Sequence, residues 1–204
     1  MRFLPVALLL CWSASLFAET AAPNKQELGL TLGVLRGSTR TSGGTTVDLG
    51  SGLALGANYG VRLRSGEHAA LYGEFHFLAN GLRDISSANR GVIRDVATLY
   101  ATPGIRVKFL PSRAFSPYVA IGGGYALYEQ SHNRLDGQPN PASRFTHRGA
   151  FMYGGGVDSK LWRFIGLRAE VRDFYSGSPS YNVPSIRGGQ HNVTVGGGLV
   201  VRLR

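Results

Sequence analysis

The stretch Ile165-Gly166-Leu167-Arg168-Ala169-Glu170-Val171-Arg172 limits the fold more than any other part of the chain. Its odd positions are apolar and its even positions, after Gly166, are charged. A strand sends successive side chains to opposite faces, so this segment has one greasy face and one ionic face. A helix would scatter the same residues around its axis. A soluble sandwich turns the greasy face inward, whereas a transmembrane barrel turns it outward to lipid. The rest of the sequence must decide between the two.

The same alternation recurs in seven other stretches. Leu28, Leu30, Leu32 and Val34 oppose Gly29, Thr31 and Gly33. Leu53, Leu55, Ala57, Tyr59, Val61 and Leu63 oppose Asn58, Arg62 and Arg64, and Leu71, Gly73, Phe75 and Phe77 oppose Tyr72, Glu74 and His76. Ala97, Leu99, Ala101, Ile105, Val107 and Phe109 face away from Thr98, Tyr100, Arg106 and Lys108. Val119, Ile121, Tyr125 and Leu127 begin the second half, and Phe151, Tyr153, Val157 and Leu161 oppose Met152, Asp158 and Lys160. Val193, Val195, Leu199, Val201 and Leu203 close the series against Thr194 and Arg202. Short turns at Ser65-Gly66-Glu67, Pro111 to Ser116 and Trp162-Arg163-Phe164 alternate with long polar loops over about 37–50, 80–94, 130–147 and 176–190. An enclosed face carrying this many charges needs ion pairing, and an apolar face turned outward needs a bilayer.

The N-terminus supplies the compartment. Arg2 precedes an apolar run from Phe3 to Trp12, and small residues lead to Ala18. This is the layout of a secretory signal over 1–18, too short to span a bilayer as a helix. Cleavage after Ala21 or Ala22 also fits the pattern. The mature domain is then 19–204, one domain's worth of chain. Cys11 is the single cysteine and lies in the leader, which leaves no thiol for disulfides or cysteine–metal sites. The net charge of +10 is spread through every strand and loop, without a basic run, so no nucleic-acid partner is expected. Near-zero mean hydropathy fits a barrel in which lipid-facing and lumen-facing residues average out.

With eight alternating segments, long and short connections in turn and an N-terminal export signal, the chain resembles the small eight-stranded outer-membrane β-barrels of the OmpA transmembrane-domain and OmpX type. The resemblance covers the whole mature chain and is one of pattern rather than of a signature motif. It implies an all-β, antiparallel, up-and-down barrel with four extracellular loops and three periplasmic turns. It also implies insertion by the barrel-assembly machinery, a monomer, and no cofactor or metal. One departure is the C-terminus, Val201-Arg202-Leu203-Arg204, where the family usually ends in an aromatic residue.

Two sets of residues stand out as candidates. Arg62, Glu74, Arg106, Lys108, Asp158, Lys160, Arg168, Glu170, Arg172 and Arg202 should form an ionic network in the lumen, with Glu74, Asp158 and Glu170 as the acids. Phe109, Trp162 and Phe164 should sit at the periplasmic interface, and Phe77, Tyr125, Phe151 and Tyr175 at the outer one, where amphipathic rings favour headgroups. The triplets Gly122–Gly124, Gly154–Gly156 and Gly196–Gly198 are read as room for large neighbours rather than phosphate loops, because no helix follows them. His76 reads as a hydrogen-bonded core residue beside Glu74. Arg36, Arg40, Arg83, Arg90, Arg94, Arg134, Arg144, Arg148 and Arg187 should scatter over the extracellular end. There they would pair locally with Asp84, Asp95 and Asp136 or contact lipopolysaccharide phosphates, which suit the guanidinium fork. The expected role is structural or surface-interacting, with a side-chain-filled lumen. The alternatives are a lipid A-modifying acyl hydrolase or acyltransferase on the same scaffold, and a small solute channel. The His-x-Ser motif of the lipid A deacylases has no match in Tyr175-Ser176-Gly177-Ser178 or at His132.

Overall fold

A computed structural model describes residues 25–203, so the expected leader over 1–18 and its cut lie outside the described residues. Eleven strands are present among them: β1 (Gln26–Gly37), β2 (Arg40–Ser42), β3 (Thr45–Asp48), β4 (Ser51–Ser65), β5 (Ala69–Asp84), β6 (Ser86–Ser87), β7 (Asp95–Phe109), β8 (Phe115–Gln130), β9 (Phe145–Lys160), β10 (Ile165–Gly177) and β11 (Gly189–Leu203). Eight of them close into an antiparallel barrel in the order β1-β11-β10-β9-β8-β7-β5-β4. Closure is made by β1, where Leu28 stands beside both Val201 of β11 and Tyr59 of β4. Backbone groups along the wall thus find partners on neighbouring strands, the condition for crossing hydrocarbon without an open edge.

Polarity is inverted relative to a soluble protein. Leu30, Leu53, Val195 and Leu199 are each more than half exposed on the outer wall, while Arg106, Asp158 and Arg172 are buried inside. That arrangement is stable in lipid and unstable in water. Residues 66–68, 110–114 and 161–164 connect strands at one end, and the longer stretches 38–50, 85–94, 131–144 and 178–188 connect them at the other.

Two bulges shift the expected facings. One falls between Arg62 and Arg64, and it ends the alternation of β4 there. Arg64 is therefore exposed instead of facing the lumen. The other falls between Asn80 and Arg83, inside a strand that runs to Asp84 rather than stopping near residue 80. An extra residue re-aims the side chains beyond it. Leu82 is left 71% exposed, and Arg83 turns into the barrel, where it is fully buried.

The long loops are folded rather than merely polar. β2, β3 and β6 form a small sheet above the barrel mouth. Beneath it Val47, Leu49, Ile85, Val92, Ile93, Tyr181, Val183 and Ile186 join Leu35 and Val96 in one buried apolar cluster. Arg94 N and Leu135 N donate to Asn133 O and Val92 O, which ties loop 85–94 to loop 131–144. A lid of this kind gains its stability as any small core does, from apolar surface removed from water.

Candidate functional site: an ionic lumen and a polar cluster on the outer wall

Four carboxylates converge in the half of the lumen nearer the short turns. Glu27 Oε2 lies 2.7 Å from an Arg106 terminal nitrogen, and Glu27 Oε1 lies 2.6 Å from Lys108 Nζ. Asp158 takes Arg168 in a two-pronged grip at 2.7 and 2.9 Å and meets Lys108 Nζ at 2.7 Å. Glu74 bridges Arg106 and Arg172, each at 2.8 Å. Glu170 holds Arg172 at 3.0 Å and accepts hydrogen bonds from Tyr118 (2.7 Å) and Thr31 (3.2 Å). Four acids thus face Arg106, Lys108, Arg168 and Arg172, and this layer is balanced in charge. The rings of Tyr72 and Tyr118 lie 4.6 Å from Arg106 and 4.9 Å from Arg168, over cations that water cannot reach. Desolvating charges is costly, and only such multiple, short, hydrogen-bonded contacts offset it.

Glycine makes two of these placements possible. A Cβ on Gly60 would come within 2.8 Å of Arg106, and one on Gly156 within 2.7 Å of the Tyr118 hydroxyl.

Seven of the ten residues expected in the lumen meet there: Glu74, Arg106, Lys108, Asp158, Arg168, Glu170 and Arg172. Arg202 stands at the edge, its Nε 3.8 Å from Glu27. Lys160 does not join them. It is exposed at the last position of β9, where its Nζ donates to Ser112 O at 2.8 Å. Arg62, next to the β4 bulge, is only half-buried. Glu27 lies outside the expected set, in which the first strand starts at Leu28. Carrying the alternation of Gly29 and Thr31 back one step places it inside.

Apart from Arg83, the other half of the lumen is built from neutral groups. His76, Phe174 and Tyr100 stack in series, with centroids 5.7 and 4.5 Å apart. His76 is buried, but neither ring nitrogen has a hydrogen-bond partner among the described residues, contrary to its expected bonding beside Glu74. Tyr100, Tyr128, Ser176, Gln190 and Asn192 link their hydroxyls and amides above this stack. Tyr181 in loop 178–188 donates to Gln190 Oε1 at 2.7 Å, and burial pushes its phenol well above the usual tyrosine range. Arg83 donates to Thr98 (3.1 Å) and Asn192 (3.4 Å) instead of reaching solvent.

The outer wall carries a break in its apolar surface. Asp173 occupies an outward position on β10, between Val171 and Tyr175. Its Oδ2 accepts a hydrogen bond from Tyr153 at 2.6 Å and lies 2.6 Å from His191 Nδ1. The Tyr175 ring packs 4.9 Å from the His191 ring. Farther around the barrel the Tyr125 hydroxyl meets His147 Nδ1. A carboxylate where the alternation calls for an apolar residue is the signal in the sequence.

Of the expected aromatic belt, Trp162 and Phe164 are exposed in the turn 161–164, and Phe109 ends β7 beside that end. Tyr125, Phe151 and Tyr175 are exposed, and Phe77 and Tyr125 both stand in register with Ala101 of β7, so Phe77 lies mid-strand rather than at a strand end. Among the loop arginines, Arg134 pairs with Asp136 at 3.0 Å, Arg144 pairs with Glu129, and Arg40 holds the Gly189 and Arg187 carbonyls.

The model of the outer membrane protein beta-barrel domain family matches residues 4–197. The chain belongs to that family. It is an outer-membrane protein, so its short turns face the periplasm and its loops the outside. Neisserial surface protein A has a similar fold, with a TM-score of 0.57 at 13% identity over 90% of this chain and 100% of that one. The outer membrane protein OprG from Pseudomonas aeruginosa gives 0.52 at 14% identity, over 87% of this chain and 96% of its own. The outer membrane enzyme PagL gives 0.51 at 15%, over 85% and 99%. At such identities the likeness is one of fold, and it includes an enzyme. No curated protein sequence matches the chain.

Proposed function

We propose that this barrel is a non-enzymatic structural and surface-interacting component of the outer membrane, with its folded loops as the contact surface. The observation that carries the reading is the closed lumen. A balanced ionic layer fills its periplasmic half, and an apolar lid covers its outer mouth. A void in the lumen beside Thr31, Ala54 and Glu170 measures about 10 Å³, room for a single water. An eight-stranded barrel has an interior that side chains just fill, and here they are bound to one another. Two measurements test the reading. Purified protein in planar bilayers should show no conductance steps. In membranes containing lipopolysaccharide it should leave the mass of lipid A unchanged. Steady conductance would replace the reading with a channel, and loss or gain of an acyl chain would replace it with an enzyme.

A further inference from the structure

We propose that the outer wall near the loop end, at Arg36, Asp173 and His191, is a docking site for the phosphorylated headgroup of an outer-leaflet lipid. The proposal rests on the reading of the chain as a membrane-embedded barrel and adds a defined lipid contact to it.

Arg36 begins the argument. Leu35 and Gly37 on either side of it face the interior, so Arg36 projects from the wall, and it is exposed. It has no hydrogen-bond or ion-pair partner among the described residues, unlike Arg134 and Arg144 in the loops above it. Across the ladder Arg36 stands beside Val193 of β11, and Val193 beside Asp173 of β10. His191 lies two residues from Val193 on the same face, a diagonal neighbour of Arg36 at about 7–8 Å. That is the spacing of the two backbones, and the long, unpartnered Arg36 side chain can carry its fork to a phosphate that the imidazole also faces.

Asp173 explains why the histidine is held ready. Its carboxylate lies against His191 Nδ1, which leaves Nε2 without a hydrogen-bond partner among the described residues, on a ring that is half exposed. The same oxygen is tied down by the Tyr153 hydroxyl, so the imidazole is aimed rather than free. A carboxylate on a lipid-facing wall is unfavourable. Orienting a headgroup ligand is a use that accounts for its presence. A phosphate at the cluster meets the Arg36 guanidinium and the outer edge of an imidazole that Asp173 holds in place.

The wall below selects a lipid over a free anion. Val34, Val195, Val171 and Leu32 are exposed on the same outer face below the cluster, toward the membrane centre. A phosphate at Arg36 and His191 places acyl chains along this surface.

The test uses the full mature chain in dodecyl maltoside, with folding checked by heat-modifiable gel migration. Native mass spectrometry reads retention of bis-phosphorylated lipid A and of the same lipid with its phosphates removed. The phosphorylated form should be held at least about tenfold more tightly, a difference that Arg36→Gln and His191→Gln each reduce to about threefold or less. Arg187→Gln in a loop and Arg163→Gln in a periplasmic turn should leave it unchanged. Equal retention of both lipids by the wild type would overturn the proposal, as would an equal loss in Arg163→Gln. Displacement by excess inorganic phosphate would mean that the site reads a free anion, and the lipid assignment would fall. The gel check reports separately on the barrel reading.

Discussion

Glu27→Gln is the sharpest test of the lumen. The substitution keeps size and most hydrogen-bonding capacity, and it removes one charge at 3% exposure. Two cations lie in direct contact with that carboxylate, Lys108 at 2.6 Å and Arg106 at 2.7 Å, and Arg202 and Arg168 lie 3.8 and 3.9 Å away. Removing one partner from a buried ion pair costs about 3–5 kcal/mol. Asp158 still holds Lys108, and Glu74 still holds Arg106, so the loss belongs at the lower end, about 3 kcal/mol. Urea unfolding in phosphatidylcholine vesicles measures it, followed by fluorescence of Trp162, the only tryptophan among the described residues. Adding Lys108→Met removes the cation that Glu27 contacts most closely and that Asp158 alone would otherwise hold. The double variant should recover about 1–2 kcal/mol relative to the sum of the singles. A change below about 0.5 kcal/mol in Glu27→Gln, or strict additivity in the double, would mean that water or lipid headgroups neutralise the layer and the network reading fails.

Val171→Arg, on the half-exposed outer wall, should cost about 2–4 kcal/mol in vesicles, and a neutral result would mean that this face does not meet hydrocarbon. Trp162 fluorescence should be quenched more by lipids brominated near the headgroup than by lipids brominated at the chain ends. The reverse order would place the turn 161–164 inside the bilayer. Gly156→Ala would drive a methyl into the Ala169 carbonyl oxygen and should destabilise by about 1–3 kcal/mol. Gly197→Ala meets nothing closer than 3.4 Å and should stay within about 0.5 kcal/mol, so equal effects would remove the packing explanation for these glycines.

Facing is legible wherever alternation runs unbroken. β10 reads correctly from Ile165 to Arg172 because each residue has one of two environments, lipid or lumen, and its polarity declares which. The reading fails where a strand carries an extra residue. Gly81 in Asn80-Gly81-Leu82-Arg83 is compatible with a bulge, but glycine is frequent along these strands, and only the pairing of β5 with β7 locates the shift. Arg83, expected in solvent, is therefore found buried. Lys160 departs for another reason: alternation gives the face but not the height, and at the end of β9 the inward face opens to water. The lid is illegible for a third. Val47, Leu49, Val183 and Ile186 are isolated apolar residues in polar stretches, and only the closed barrel brings their loops together.

The lumen and the lid depend on the same geometric fact. A closed barrel of eight strands leaves an interior that side chains fill, so whatever is inward must satisfy itself there. Near the periplasmic turns this is done with charge, and the four acids and four bases must all be present, because each removal strands a partner in a region of low dielectric. Toward the loops it is done with neutral hydroxyls, amides and stacked rings, which tolerate a missing partner better. The apolar lid then keeps water from competing for those weaker bonds. Arg83 is the exception, a buried cation with only neutral partners among the described residues, and it lies under the lid, against Leu49 and Gly37. Its burial shows that the lid and the upper lumen pack as one unit. The loops are thereby an ordered extension of the barrel, and a surface built on ordered loops binds with less conformational entropy to lose than one built on mobile chain.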